Sequence, residues 1–293
     1  MKRSSTQTQP TLTQTQPTLI QTQLILTQTQ PASRLPYHST TSPHHPIPLG
    51  DTLPLGDTLL LGDALELLSG FSSASVDAVI TDPPYCSGGL TATERSRVPS
   101  LKYVQSRQKT HWVDFEMDTL DQNAWASFTY QWLKETRRIA KEGAPLLIFT
   151  DWRQLPLLTT LVQWSGWRWL GIAAWDKTEA CRPQMGRFAA QAEYIVWGAK
   201  GRLPAKRHVG ALPGVFRHRV ESVNKKQHLT GKPLALMEEL LKIVEPGGMV
   251  LDPFAGSGTT LLAAKRLGLT AQGIELSPHY YQVAKKRLEE PTP

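Results

Sequence analysis

Cysteine is almost missing from this chain: Cys86 and Cys181 are the only two in 293 residues. Far apart in sequence, they supply neither a disulfide framework nor a metal-ligand cluster, so no metal site is expected. Long apolar runs are missing too. Lys2 and Arg3 are not followed by a segment suited to a signal peptide, and no stretch approaches the roughly 20 apolar residues of a membrane span. A soluble, cytoplasmic protein with no membrane partner is the expectation. Acidic residues are the third scarcity, 25 against 32 lysines and arginines, which leaves a formal charge of +7 and a pI of about 9.4. That balance favours a polyanionic partner. The deficit is concentrated: from Lys200 to Lys232 the chain carries Lys200, Arg202, Lys206, Arg207, Arg217, Arg219, Lys225, Lys226 and Lys232 against the single acid Glu221.

The first 48 residues are of a different material from the rest. Thr6-Gln7-Thr8-Gln9-Pro10-Thr11-Leu12 is repeated at Thr13 to Leu19 and then decays, a seven-residue period rich in Gln, Thr and Pro. Proline inside the period and the lack of a two-position apolar seam exclude a coiled coil, so residues 1–48 read as a disordered low-complexity tail. A six-residue repeat follows, Leu49 to Pro54, Leu55 to Leu60 and Leu61 to Glu66. Its first two copies read as surplus duplications. The remaining 49–290, about 240 residues, suit one sizeable α/β domain.

What the domain does have is the run Val76 to Thr81 followed by Asp82-Pro83-Pro84-Tyr85. The run is short, β-branched and stopped by two prolines, which reads as a buried strand delivering a polar cluster at its carboxyl end. Ligands of open α/β sheets bind at that edge. The cluster suits a nucleobase amino group, whose lone pair is delocalised into the ring until hydrogen-bond acceptors draw it toward tetrahedral geometry. Asp82 and the Pro83 carbonyl can supply two acceptors on a stiff backbone without N–H donors, and Tyr85 offers an aromatic face for a flipped base. A proline-terminated strand with an incidental aspartate is the plain alternative.

A second signal comes far downstream, where Met249 to Leu251 runs into Asp252-Pro253-Phe254-Ala255-Gly256-Ser257-Gly258-Thr259-Thr260 and then a helix. Strand, glycine turn and helix make a nucleotide-site grammar, with helix N–H groups facing a carboxylate or phosphate. No lysine follows Gly258, which argues against a phosphate loop for ATP or GTP. Glu275 ends the next strand, Thr270 to Ile274, at the place where an acid accepts from ribose hydroxyls. Asp252 would meet a cationic amino-acid group and repel a pyrophosphate, which favours S-adenosylmethionine over a dinucleotide.

With those motifs in view, Leu49 to Glu290 resembles the DNA amino-methyltransferases of the permuted, β-class order, in which Asp-Pro-Pro-Tyr precedes the cofactor half. The resemblance implies a Rossmann-like α/β fold, circularly permuted, with a mostly parallel seven-stranded sheet and helices on both faces. It implies catalysis by Asp82, Pro83, Pro84 and Tyr85. It implies S-adenosyl-L-methionine held by Asp63, Asp82, Thr230, Lys232, Asp252, Phe254, Ala255, Gly256, Ser257, Gly258, Thr259, Thr260 and Glu275. Asp63 would lie near the adenosine, and His228 to Pro233, heading a helix from Leu234 to Val244, would close over the methionine end. Asp63 also reads as a helix N-cap, Thr230 as another, and Glu193 as either a brace of the pocket or an ordinary ion pair.

Double-stranded DNA is the implied partner, contacted by a loop over 86–122 and a short basic recognition segment over 200–229. The expected reaction is methyl transfer to adenine N6. Cytosine N4 stays open as the alternative base, with protein glutamine methylation and a catalytically inactive DNA-binding protein behind it. The resemblance also admits a homodimer and a partner restriction nuclease. Cytosine C5 chemistry would want a nucleophilic cysteine after proline, whereas Cys86 follows Tyr85.

Overall fold

Apolar β-branched runs alternate with helix-period segments along the chain, and the computed structural model lays them down as one sheet with helices on both faces. It describes residues 58–86, 120–181, 185–220 and 231–290. Strand β1 (Thr58–Leu61) leads into the short helix α1 (Ala64–Leu67), then β2 (Ala78–Thr81), α2 (Gln122–Ile139), β3 (Pro145–Thr150), α3 (Leu155–Trp164), β4 (Arg168–Asp176), β5 (Ala192–Ala199) and β6 (Val215–Arg217). The carboxyl-terminal part adds α4 (Leu234–Leu241), β7 (Met249–Asp252), α5 (Thr259–Arg266), β8 (Thr270–Glu275) and α6 (Pro278–Glu289).

Strand order is β1-β8-β7-β2-β3-β5-β4-β6. All neighbours are parallel except β5, which runs antiparallel between β3 and β4. β2 lies directly beside β7, with Ala78 opposite Val250 and Val79 opposite Leu251. That single pairing makes the order permuted, because the early strand and the late one are sheet neighbours although about 170 residues separate them.

Central strands read as unbroken apolar runs because both their faces are covered. Val79, Leu146 and Ile148 pack with Trp125, Phe128 and Trp132 of α2 and Leu158 of α3. Ile80, Leu147 and Phe149, one residue out of phase, pack with Leu236 and Leu240 of α4 and Leu261 and Ala264 of α5. Burying a Leu or Ile side chain is worth about 1.5–3 kcal/mol, so a one-residue slip of either strand would exchange the two cores at prohibitive loss. α2 starts where Asp121 accepts from the N–H groups of Asn123 and Ala124, and its buried Trp125, Phe128, Thr129, Trp132, Leu133 and Thr136 recur at helical spacing.

Three expectations change. The sheet has eight strands among the described residues rather than seven, because Val215–Arg217 adds a short strand beside β4. The second copy of the six-residue repeat is not surplus, since its Thr58, Leu59 and Leu60 form most of β1 and pair with β8. The helix expected to Val244 ends at Leu241, where Lys242 takes up a turn. Residues 1–48, Asp51, Asp57, 87–119 of the expected DNA loop and 221–230, including Thr230, lie outside the described residues. No described helix is long and apolar enough to cross a membrane.

Candidate active site

The chain leaves β2 at Asp82 on the sheet's carboxyl edge, and side chains from α2 and the start of α3, which lie on one face of the sheet, hold the proline corner. Trp125 Nε1 donates to the Pro84 carbonyl at 2.8 Å. Gln154 Nε2 donates to the Tyr85 carbonyl at 2.9 Å, while the Gln154 Oε1 accepts from Gln122 at 2.8 Å. Cys86 then takes a left-handed φ of 54° and is buried, so it is a packed thiol at a chain reversal. The Pro84 carbonyl thereby already accepts one bond. Among the described residues none donates to the Pro83 carbonyl, the one expected to receive the amino group.

Both Asp82 oxygens are engaged. Tyr85 Oη donates to Oδ1 at 2.6 Å and Lys232 Nζ donates to Oδ2 at 2.6 Å. Burial raises the Asp82 pKa, and Lys232 opposes that rise by its charge and its hydrogen bond. The Tyr85 hydroxyl is pushed well above its usual range by burial and by the Asp82 charge, so it remains a donor. With 25% of the Asp82 side-chain surface exposed, the carboxylate still faces the cleft.

On the adjacent strand β7, Asp252 accepts from Thr81 Oγ1 at 2.7 Å and from the Phe254 N–H at 3.1 Å. This bond joins the two motifs across the β2–β7 seam. Burial lifts the Asp252 carboxyl to about 6, partly offset by hydrogen bonds from Thr260, Thr81 and Phe254. Asp252 was expected to meet a cationic ligand directly; instead it is 2% exposed and gives its oxygens to protein donors. Its charge therefore acts through the loop it folds. Phe254 likewise turns its ring into the protein, edge-on to Trp132 at 5.5 Å.

The loop itself is built from positive-φ glycines, Gly256 at 54° and Gly258 at 77°. At Gly258 a Cβ would also stand 2.9 Å from the Ala284 Cβ, so this position admits only glycine. Ala255 N–H donates to the Ile274 carbonyl at 2.8 Å, which lays the loop over the end of β8. Glu275 accepts from the N–H groups of Gly256 at 2.8 Å and Ser277 at 2.7 Å, and burial lifts it to about 7 against those bonds. Leu61 pairs with Glu275 and Gly62 N–H donates to its carbonyl, so Asp63 enters the same edge. There it caps α1 by accepting from Leu65 N–H at 2.7 Å.

Lys232 reaches this edge from just before α4. Its ammonium, anticipated at the cofactor's methionine end, lies between Asp82 and Glu193, with Nζ 3.3 Å from Glu193 Oε2. Lys177 Nζ meets the other oxygen, Oε1, at 3.2 Å. A buried ammonium must be paired, and these are the carboxylates within reach. Burial works against the Lys232 charge, but Asp82 and Glu193 outweigh it and its pKa is raised. Burial also works against the Glu193 charge, yet Lys232 and Lys177 win and its pKa falls. The ammonium additionally lies 5.3 Å from the Tyr85 ring and 5.0 Å from the Phe149 ring.

The Asp-Pro-Pro-Tyr corner and the glycine loop joined to it through Thr81 and Asp252 both fall within residues 76–286, which match a family profile described as DNA methylase. The chain belongs to the DNA methylase family. The methylase is 30% identical over 251 residues to the Type II methyltransferase M.HinfI of Haemophilus influenzae, covering 78% of this chain and 67% of that one. It is 26% identical over 253 residues to the Type II methyltransferase M2.MboI of Moraxella bovis, covering 78% and 86%. Among solved structures, the M1.HpyAVI–SAM complex superposes with a TM-score of 0.59 at 25% identity, over 80% of the methylase and 99% of that chain.

Some contacts of the methylase were not anticipated. Arg287, one residue beyond the family match, donates to the Ser257 carbonyl at 2.6 Å, Ser257 Oγ at 3.1 Å and Thr259 Oγ1 at 3.2 Å, clamping the loop from α6. Nothing in the local sequence distinguishes it from the other basic residues of the last turn. Trp125 and Gln154 were equally silent, since their partners lie 41 and 69 residues away. The basic stretch is thinner than its composition implies. Lys200 donates to the Ala140 carbonyl, Arg207 binds the Ile243 carbonyl and Glu245, and Arg217 pairs with Glu179 and Asp176. Arg202, Lys206 and Arg219 carry no ion pair among the described residues.

Proposed function

We propose that the chain transfers a methyl group from S-adenosyl-L-methionine to the exocyclic N6 of adenine in double-stranded DNA. The observation that carries this reading is the 2.7 Å bond from Thr81 to Asp252, which puts the base-holding corner and the glycine loop at one cleft edge. The donor set fits a cationic nucleoside. Buried Asp252 and Glu275, raised to about 6 and about 7, are carboxylates whose ionisation a nearby positive charge would favour. Glu275 and Asp63 would face the ribose and adenosine, and residues Ala255 to Thr260 would line the methionine end. When bound, the cofactor supplies an electrophilic methyl on a sulfonium.

The residues of the chain then orient the acceptor. Asp82 and the Pro83 carbonyl accept from the amino group and draw its lone pair out of conjugation, while Tyr85 covers the base face. Asp82 stabilises the positive charge that develops on the attacking nitrogen, and positioning supplies much of the remaining rate. No covalent enzyme intermediate is needed. The loop over 86–122 and the segment over 200–229 contact the DNA, the latter with Arg202, Lys206 and Arg219 as the cations that carry no ion pair among the described residues. A companion restriction nuclease and a homodimer belong to the same reading, and light scattering of the purified protein tests whether two copies act together.

The deciding experiment incubates the protein and its Asp82→Ala variant with labelled cofactor and unmethylated DNA, followed by nucleoside analysis. Labelled N6-methyladenine from the parent, and cofactor binding without transfer from the variant, are expected. Label in cytosine would move the target to N4, label in protein would replace DNA as substrate, and a variant that kept most activity would remove Asp82 from catalysis.

A further inference from the structure

The pocket's buried charges raise a problem that the residues of the Asp-Pro-Pro-Tyr corner do not solve. Asp82 stabilises positive charge on nitrogen as an anion, yet it has a full ammonium 2.6 Å from its Oδ2. A lysine paired with Asp82 alone would cancel the field the reaction uses. Lysine is also a point charge on a flexible stem with three rotatable donors, so one contact does not set where it sits. Lys232 has a second contact, Glu193, and Glu193 has its own outer cation, Lys177.

We propose that Glu193 is a positioning residue for methyl transfer: braced by Lys177, it holds Lys232 against Asp82 Oδ2 and shares its charge, so that the ammonium does not cancel the Asp82 charge and Oδ1 is the oxygen offered to the base. This rests on the proposed methyl transfer to DNA. The strand directions make it possible. β5 is antiparallel, so its amino end, where Glu193 lies opposite Trp175 of β4, falls at the same edge as the carboxyl ends of β2, β3 and β4. Lys177 follows β4 directly, and Lys232 enters just before α4. Four side chains from four segments thus alternate in sign from the outer Lys177 to Asp82, and Lys232 itself keeps only 7% of its side-chain surface exposed.

The geometry also divides the two Asp82 oxygens. Oδ2 belongs to the lysine, whereas among the described residues Oδ1 carries only the Tyr85 hydroxyl. Tyr85 can leave without stranding a buried charge. Lys232 cannot.

The test is a double-mutant cycle of Glu193→Gln and Lys232→Gln, each made in the full chain, with kcat for DNA methylation and cofactor affinity measured separately. Glu193→Gln keeps shape but loses charge; it is expected to lower kcat about 10- to 100-fold, as small misplacements at a reacting centre do. Cofactor affinity should stay within about twofold, and in the Lys232→Gln background the same change should have little further effect. Lys177→Met, at the outer end of the chain, should give a smaller fall in kcat that vanishes once Glu193 is replaced. It keeps the proposal testable if Glu193→Gln folds poorly. Unchanged kcat in Glu193→Gln, or additive losses in the double variant, would overturn the proposal. So would weakened cofactor binding at normal kcat, because Lys232 would then serve the cofactor. A parent protein that methylates no DNA would instead fail the proposed function itself.

Discussion

Lys232→Met removes a cation from between two carboxylates while keeping an unbranched side chain, one atom shorter. At 2.6 Å from Asp82 and 3.3 Å from Glu193, an effective dielectric of ~20 gives gross attractions of about 6 and 5 kcal/mol. Desolvation of the ammonium takes most of that back, and removing one partner of such a group typically costs about 3–5 kcal/mol through the charges left behind. Asp82 and Glu193 keep 25% and 20% of their side-chain surface, so the lower end, about 3 kcal/mol, is expected. For a domain of this size that corresponds to a fall in Tm of about 6–12 °C. The loss depends on pH. In the parent protein the Lys232 pKa is raised, so its contribution is fully present below the ordinary 10.5 and disappears only as pH rises through the higher folded value. In the variant both carboxylates lose the cation that favours their ionised forms, so each takes up a proton more readily in the fold than in the parent. The deficit is therefore largest at pH 8 and narrows as pH falls toward 5. Urea denaturation at both pH values measures it. A deficit below about 1 kcal/mol at pH 8, or one that does not change with pH, would refute the burial and pairing argument.

Two further measurements address the cofactor side. The folded pKa values of Asp252 and Glu275, about 6 and about 7 against 3.8 and 4.5, mean that each favours the fold when protonated. That stability is complete below the ordinary values and is lost as pH rises through the folded ones, about 3 kcal/mol for each group. A cationic ligand reverses the preference, so S-adenosylmethionine binding at pH 6.5 should release protons and weaken as pH falls from 8 to 5.5. Calorimetry in two buffers of different ionisation enthalpy reads the release, and identical heats would refute the raised values. Gly258→Ala combines a φ of 77° with a Cβ 2.9 Å from Ala284, whereas Gly268→Ala has a φ of 68° and open space. Both should lose about 1–2 kcal/mol from the left-handed backbone, but only Gly258→Ala should lose more and weaken cofactor binding. Equal destabilisation would remove the packing argument.

Local signals identified most of the elements that carry the site. Two prolines after Thr81 stop β2 because they lack N–H donors, and glycines after Asp252 permit the turn into α5. The apolar spacing of Trp125, Phe128, Trp132 and Ile139 is that of α2. Misreadings fell where a residue's meaning depends on distant neighbours. The second repeat copy looked redundant because nothing nearby announces that β8 has an open edge for it. Asp252 looked open to a direct contact because its burial beside Thr81 is not a local property.

Motif chemistry and hydrophobic period, both properties of contiguous residues, determined by sequence alone the α/β class and the places of the proline corner and the glycine loop. Folding decided which charges face one another. Asp82, Lys177, Glu193 and Lys232 are spread over about 150 positions, and what unites them is the reversed direction of β5 and the seam between β2 and β7. Coulomb interactions depend on separation in space and on burial, neither of which follows from separation along the chain.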